Sequence, residues 1–416
     1  MGPKLFIITE DVDDAKEILV KKFECFTDRQ EMDFLSDSLK NAIINQKGKR
    51  WRHSRAQLSP AFSTAKIRAM SHSVHKHMDI LSTLLHRNAR SGQAFDIYDL
   101  YKRLTLSVIS ECAFGLSSDC LQAEDCPFAF HAATYFRQLP SPENSSLMAL
   151  SVIIPEFAPI CEWLHTRISD AGRSETWLAY TLSQVIEHRM QTGDTSRPDV
   201  ISILLASGLG REEIVNNGFA FLLAGYETTS TALGFATWLL ARHPDVQQKL
   251  YEELMALPDP EQIHQYYDQV MRLPYLNAVY KEALRLFPPI TFFVNRTCTR
   301  DCEIGGVLYT RGTQVGIPIW NILRSSDVWE KPNDFIPERF LDAPTNPFAW
   351  LPFGAGPRSC IGMRFAQMEF KIAIARTLSV FTLRLPENSK WALPLTNSTA
   401  LLSTPEIQVI CEPRRK

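Results

Sequence analysis

Residues 351–362 read LPFGAGPRSCIG, a single cysteine held among glycines and prolines close to the C-terminus. A glycine-rich loop lets several backbone amides converge on one sulfur without side chains intervening, which is what a metal-ligating thiolate needs. The residues that follow, MRFAQMEFKIAIARTL, carry a helical period. Cys360 therefore sits beside a helix N-terminus, whose dipole favours the anionic sulfur. A buried, inert cysteine in a turn satisfies the same local facts, so the rest of the chain has to decide between them.

Working outward, the chain has 416 residues, a formal charge of −2 (44 basic against 46 acidic) and 45% hydrophobic residues. That is an ordinary globular balance, without the basic excess of a nucleic-acid binder. Nine cysteines, an odd number with no CxxC pair and no CxxCH box, argue against a disulfide framework or a zinc site and for a reducing compartment. The N-terminus shows neither a secretory pattern nor a spanning run. Three Asn-x-Ser/Thr triplets, at Asn144, Asn295 and Asn397, are read as chance.

The first two-thirds of the chain reads as mainly helical, and the last third mixes short strands with turns. LFIIT (5–9) reads as a buried strand, with Asp11 capping a helix through Leu19. Helical periodicity runs from Trp51 to about Arg90, then over 95–115, 171–192 and 212–242, and Pro274 opens a further helix that Pro288-Pro289 closes. Strands are expected at 303–309, 313–319, 380–385 and 407–411. With no repeat, linker or composition break, residues 1–416 read as one mainly α domain with small β-sheets, an α+β body tied together by an early strand with late partners.

FAFLLAGYETTSTALGFATWLL, Phe219 to Leu240, is apolar almost all round. Its length would suit a membrane span, but Glu227 near its centre would cost about 2.5–3.5 kcal/mol there. A buried core helix is the expectation. Glu227-Thr228-Thr229 then places polar groups deep inside, where hydroxyls bond back to carbonyls and local widening of the helix is expected. A satisfied core threonine with its glutamate reaching solvent is the plainer reading. In the helix after Pro274, Leu276, Val279, Tyr280, Ala283 and Phe287 form the apolar stripe, and Glu282 and Arg285 fall opposite it. Periodicity alone makes them a solvated pair.

FGAGPRSCIG resembles the heme-binding signature FxxGxxxCxG of the cytochrome P-450 family through Phe353, Gly356, Cys360 and Gly362. AGYETT (224–229) is similar to that family's central-helix oxygen-activation motif, EALR (282–285) to its ExxR pair, and PERF (337–340) to the element whose arginine joins that pair. WRHSRAQLSPAF and GMRFA further resemble the microsomal branch of drug-metabolising and thromboxane-synthase enzymes. Four motifs in the family's order are far more specific than any one of them.

The resemblance implies heme b with Cys360 as its axial thiolate, pushing electron density onto iron. Phe353 would shield the sulfur, Gly356 and Gly362 would admit the porphyrin, and Ala224 would leave room over the heme face. Glu227 and Thr228 would relay protons. Trp51 and Arg55, four apart on one helical face, would meet a propionate together with Arg358, Arg296 and Arg29. By local chemistry alone, Trp51 and Arg55 are equally a surface stacking pair. Glu282, Arg285 and Arg339 become a buried network. Substrate contacts map to Met32–Leu39, Phe219–Thr228, Ile290–Val294 and Thr399–Leu401, including Phe219, Ile290, Thr291, Val294, Ala400 and Leu401.

These segments suit a lipophilic substrate, a sterol, fatty acid or xenobiotic, oxidised with electrons from NADPH through cytochrome P-450 reductase, with cytochrome b5 as a further partner. Lys47, Lys49, Arg50 and Arg52 would face an acidic reductase. LMALSVIIPEFAPICEWL (147–164) resembles a membrane-dipping segment, which implies the cytosolic face of the endoplasmic reticulum membrane. No counterpart of the family's anchor, proline-rich hinge, first helix or first strand is expected in this sequence. An endoperoxide isomerase of the thromboxane-synthase type, or a heme-binding chain without chemistry, is the alternative.

Overall fold

A computed structural model of the chain describes residues 5–414 apart from 31–35, 119, 124, 139–146, 148–149, 151–153, 194–198, 293, 342–345, 390–391 and 399–400. Its axis is the helix Arg211–Arg242, buried at every position from Asn216 to Ala241 except Ala220, Ala224, Gly225 and Thr228. The helix Ile97–Phe114 packs along it, cross-linked by Tyr101 Oη to Thr237 Oγ1 at 3.1 Å and by Thr105 Oγ1, which donates to Tyr226 O at 2.8 Å. Apolar residues on all sides are thus explained by neighbours on all sides, and no helix among the described residues is long and apolar enough to cross a membrane. The widening expected at 227–229 does not occur. The helix keeps α-geometry throughout, because Thr228 and Ser230 turn their hydroxyls back onto carbonyls within the same helix.

The helices Thr64–Ser91, Asp170–Thr192, Pro274–Leu286 and Met363–Val380 complete the main core around that axis. Small sheets frame it. β1 (Phe6–Ile8), β3 (Val294–Thr297) and β6 (Gln314–Ile317) form one sheet in the order β1-β6-β3, while β2 (Phe95–Asp96), β7 (Phe381–Arg384) and β10 (Gln408–Pro413) form another in the order β2-β10-β7. β4 (Cys302–Ile304) pairs with β5 (Val307–Tyr309), and β8 (Thr396–Ser398) with β9 (Leu401–Ser403). A second, smaller core gathers Ile18, Leu19, Phe26, Val315 and Ile317 beneath the first sheet.

Several expectations need correction. LFIIT is a half-exposed edge strand, with Leu5 and Ile8 more than half exposed, because β6 alone covers it. Asp11 does cap a helix, accepting from Asp13 N and Asp14 N, but α-geometry ends at Lys16 and a π-turn, Glu17–Lys21, follows. The helix expected from Trp51 to Arg90 is two, Gly48–Leu58 and Thr64–Ser91, parted by a 3-10 turn at Pro60. Residues 303–309 form a hairpin rather than one strand, since Gly305 and Gly306 turn the chain with φ of 56° and 79°. Cys120 and Cys126 are joined as a disulfide, a short local loop that the odd cysteine count hid.

Candidate functional site

The cysteine loop lies on the seam between the two cores, with Trp350 packed on both. Gly354 and Gly356 take φ of 64° and 71°, and a Cβ on Gly356 would stand 2.0 Å from Leu19 O, so only glycine lets the loop pass that close. Cys360 N donates to Phe353 O at 2.9 Å, closing the loop under the sulfur. Phe353 in turn stacks on Tyr280 and packs at a tilt against Trp350, at 6.4 and 6.1 Å between ring centroids. Cys360 itself is exposed, in contrast to the buried Arg358 two residues earlier.

The thiol does not titrate as the helix dipole alone predicts. Although open to the recess, its sulfur has protein on most sides, and that desolvation raises its pKa. The amide of Gly362, the Arg55 and Arg29 guanidinium groups and the amide of Met363 pull it back down. The donor set is thus arranged for a thiolate, while the surroundings resist a free one. A cation bound at the sulfur resolves that conflict.

The recess in front of Cys360 is bounded by the central helix. Ala220, Ala224 and Thr228 follow one another at i+4 with Gly225 beside them, so the four positions that escape burial make one stripe. Phe62 links this wall to the cysteine loop. Its ring lies 5.5 Å from that of Phe221, one turn before Ala224, and a Cβ on Gly362 would lie 4.0 Å from both Phe62 Cε1 and Cys360 Sγ. Thr228 Oγ1 faces the same side and donates to Ala224 O at 2.6 Å. Glu227 turns the other way. Its Oε1 accepts from Tyr98 Oη at 3.0 Å and lies 3.8 Å from Lys102 Nζ, while Oε2 is buried without a partner. Burial and the nearby Glu227 carboxylate push the Tyr98 phenol well above its ordinary pKa, which keeps it a donor.

Three arginines from distant parts of the chain meet beside the loop. Arg358 lies 4.2 Å over the Trp51 ring, and it donates from Nε to Thr27 O at 2.8 Å and from Nη2 to Gln46 O at 2.7 Å. The cation stacked on Trp51 is therefore Arg358, not Arg55. Arg29 Nη2 donates to Arg358 O at 3.3 Å, and Arg296, 1% exposed, donates from Nη1 to the carbonyl of Asn295 at 2.7 Å. Arg296 Nε and Arg358 Nη1 are buried with no partner. Desolvation and mutual repulsion push Arg296 well below its ordinary pKa, and Arg358 down to about 9, with Asp28 at 3.7 Å as the carboxylate that opposes the shift. Such a site suits a dianionic group, and the two propionates of a heme fit it.

Behind the loop, Glu282 and Arg285 are both fully buried, which overturns the solvated pair expected from periodicity. Arg285 donates from Nε to Glu282 Oε2 at 2.7 Å and from Nη2 to Oε1 at 2.9 Å, and from Nη1 to the carbonyls of Leu323 and Pro332. Arg339 Nε and the Ile336 amide close on Glu282 Oε1 at 3.0 and 2.9 Å. The segment 323–339 covers the polar face of the helix, so that face is internal although its residues are charged.

The residues expected to touch substrate are scattered more widely. Phe219 is buried, its ring 6.4 Å from Tyr135, while Ile290 bridges to Leu401 and Thr291 is buried nearby. Val294 belongs to the smaller core, 3.6 Å from a Cβ placed on Gly354, hence behind the cysteine loop. Ala400 lies outside the described residues, as do Met32–Leu35, Phe293 and Thr399. Phe62, Tyr98 and Tyr280 were missed in the sequence because each acts through a residue far along the chain. Among the described residues no set of three His, Cys, Asp or Glu side chains is placed to hold a metal ion.

The sequence profile described as "Cytochrome P450" matches residues 1–411. Cytochrome P450 3A29 of Sus scrofa is 33% identical over 98% of this chain and 82% of its own length. Cytochrome P450 3A12 of Canis lupus familiaris is 32% identical over 99% and 84%, and cytochrome P450 3A5 of Homo sapiens 31% identical over 98% and 82%. Family members carry heme b on a cysteine thiolate and act as monooxygenases. With its helical body, its small sheets and a match over nearly its whole length, this chain belongs to the cytochrome P450 family.

Proposed function

We propose that this chain inserts one oxygen atom from dioxygen into a lipophilic small molecule, with Cys360 as the thiolate that would hold its heme. The observation that carries the reading is the single opened stripe, Ala220, Ala224 and Thr228, on a helix otherwise buried from Asn216 to Ala241, linked through Phe221 and Phe62 to the cysteine loop. When bound, the heme supplies the oxygen-activating chemistry. The protein's part is to hold and shield it. Arg29, Arg296 and Arg358 take the propionates, with Trp51 stacked beneath Arg358 and Arg55 beside the sulfur. Phe353 and Tyr280 keep water from the sulfur's rear. Residues 1–416 act as one heme-thiolate domain.

Thr228 supplies protons on the distal side. Its Oγ1 gives up the bond to Ala224 O and donates into the recess, and a solvent proton taken up by Glu227, which Tyr98 and Lys102 hold on the opposite face, replaces it through water. Phe219, Ile290, Thr291, Ala400 and Leu401 bound the substrate, a sterol, fatty acid or xenobiotic. Electrons come from NADPH through cytochrome P-450 reductase, with cytochrome b5 as a second donor, docking on the basic face that carries the exposed Lys49 and Arg52. Turnover should require NADPH and reductase, and Thr228→Ala should retain heme and substrate binding while diverting electrons to peroxide. Unchanged coupling in that variant refutes the relay. Turnover of an endoperoxide without NADPH identifies the isomerase instead.

A membrane surface at the endoplasmic reticulum belongs to the same proposal. Phe157, Ile160, Trp163 and Ile168 are about half exposed on and beside the helix Ala158–Ile168, an apolar face suited to the headgroup boundary. Val152 and Ile153, which share that stretch of sequence, lie outside the described residues. Wild type should float with liposomes and Phe157→Asp/Ile160→Asp should not. If both stay in the soluble fraction, the face is not a membrane contact.

A further inference from the structure

Seven of the nine cysteines are free thiols, the pattern of a reducing compartment, yet Cys120 and Cys126 are joined as a disulfide. In such a compartment a disulfide is usually transient and serves redox sensing or catalysis, so this bond calls for more than a structural role. It lies in the short connection between the helix Ile97–Phe114 and the helix Pro127–Arg137. The two halves of that connection differ. Cys120 and Leu121 are sunk in the main core, whereas Asp125 and Pro127 are exposed on either side of a half-buried Cys126. A small reagent therefore reaches the bond from the Cys126 side.

What the bond holds is the start of the second helix. Cys126 occupies the N-cap, where a Ser, Thr, Asp or Asn would accept from the first free amides, and its own side chain makes no capping hydrogen bond. Phe130 N donates to Cys126 O at 3.0 Å, and Arg103 Nη1 donates to Ala123 O at 3.1 Å. The disulfide is thus the covalent tie between the helix start and the core. Further along the same helix, His131 stacks on Trp177 with 4.3 Å between ring centroids, Tyr135 lies 6.4 Å from Phe219, and Phe136 lies 5.5 Å from Tyr226. Phe219 and Tyr226 bracket Ala220 and Ala224 on the central helix. The helix Pro127–Arg137 therefore carries the position of the disulfide to the wall of the recess.

We propose that Cys120 and Cys126 form a redox switch, opened by a small dithiol, that sets how firmly the helix Pro127–Arg137 is held beside the recess. Its effect on a bound lipophile rests on the substrate reading above; the switch itself does not. One thiolate of the dithiol attacks the Cys126 sulfur, the S–S bond breaks, and the Cys120 sulfur leaves and takes up a proton. The second thiolate of the dithiol then attacks the reagent's own sulfur in the mixed disulfide and releases Cys126, which is protonated in turn. One protein disulfide and one dithiol become two protein thiols and one cyclic disulfide, a transfer of two electrons. The oxidised reagent closes the bond by the reverse steps. Once opened, the helix loses its tie to the core and its first turn frays.

The test equilibrates the folded holoprotein with dithiothreitol or with its oxidised form and removes the reagent by gel filtration under nitrogen. One portion is denatured, alkylated with iodoacetamide and digested with trypsin. The peptide 104–137 carries Cys112, Cys120 and Cys126, and it should gain one carbamidomethyl group from the oxidised protein and three from the reduced one. In a second portion, amide hydrogen exchange over residues 127–131 should quicken about tenfold on reduction while the helix Thr64–Ser91 is unchanged. Cys120→Ala should exchange like the reduced wild type after either reagent. Nile red, a lipophilic fluorophore, should bind the reduced holoprotein several-fold more weakly. A bond that survives dithiothreitol in the folded protein, or exchange over 127–131 that is equal in the two forms, overturns the switch. Equal Nile red affinity beside altered exchange overturns its link to the recess. Failure of Nile red to bind either form counts against the substrate reading, and the exchange comparison still decides the switch.

Discussion

Two buried charge clusters lie close to the cysteine loop and are built on opposite plans. Around Glu282 the hydrogen bonds close: two arginines share one carboxylate, and Arg285 also donates to the carbonyls of Leu323, Pro332 and Asp334. Around Arg296 they do not. Three guanidinium groups of one sign converge, Arg296 Nε and Arg358 Nη1 have no partner, and Asp28 stands 3.7 Å from one of them. A closed network holds shape, because every group it takes out of water is matched within it. An open, same-sign cluster is tolerable only when a ligand of opposite charge completes it, so burial with imbalance marks a binding function where burial with balance marks scaffold.

The sharpest break of the balanced cluster is Glu282→Ala. It leaves the buried Arg285 and the part-buried Arg339 without their carboxylate and should destabilise the protein by about 3–5 kcal/mol, with heme lost as the loop scaffold fails. Chemical denaturation with and without heme checks this. An unchanged midpoint would mean that the network is ornamental.

Arg296→Met should act in the reverse sense on the open cluster. Heme affinity should fall tenfold or more, about 1.4 kcal/mol per tenfold, while the heme-free protein holds or gains stability because a buried cation without a carboxylate partner has gone. Heme titration and thermal melts of the heme-free form separate these effects. If the two quantities fall together, Arg296 is scaffold and the contrast between the clusters collapses.

Glu369 sharpens the comparison as a third case, a buried carboxyl with no partner on either oxygen. Desolvation raises its pKa well above the ordinary carboxylate value, so the folded state keeps its proton. The stability this confers is complete below the unfolded-state pKa and is lost as pH rises towards the raised folded value, at up to about 1.4 kcal/mol per pH unit. Glu369→Gln should flatten that slope above the ordinary carboxylate range. Denaturation midpoints that fall equally in both proteins would show that Glu369 does not set the slope.

What the sequence could and could not disclose follows the reach of each cause. Asp11 and Pro274 act within one turn and were legible as helix starts. Pro60 and Gly305-Gly306 also act locally, and the break and hairpin they impose could have been read from those residues. The burial of Glu282 and Arg285 was not legible from periodicity, because the face that looks solvated is covered by residues 323–339, roughly 40 to 55 positions later, and only the family motif pointed to a network. The arginine cluster assembles from positions 29, 296 and 358, and its lack of balance exists only in three dimensions. At Ala224 and Thr228 the motif named the residues, but their opening on one face and the turning of Glu227 to the other required the packed helix.

The central claim is that Cys360, alone among the nine cysteines, carries the iron. The direct measurement is the reduced carbon monoxide difference spectrum of wild type beside Cys360→Ser, with both proteins loaded with heme. The account predicts a thiolate-type Soret band in the wild type and its loss in the variant, while the arginine cluster still retains heme. A thiolate-type band that persists in Cys360→Ser would contradict it.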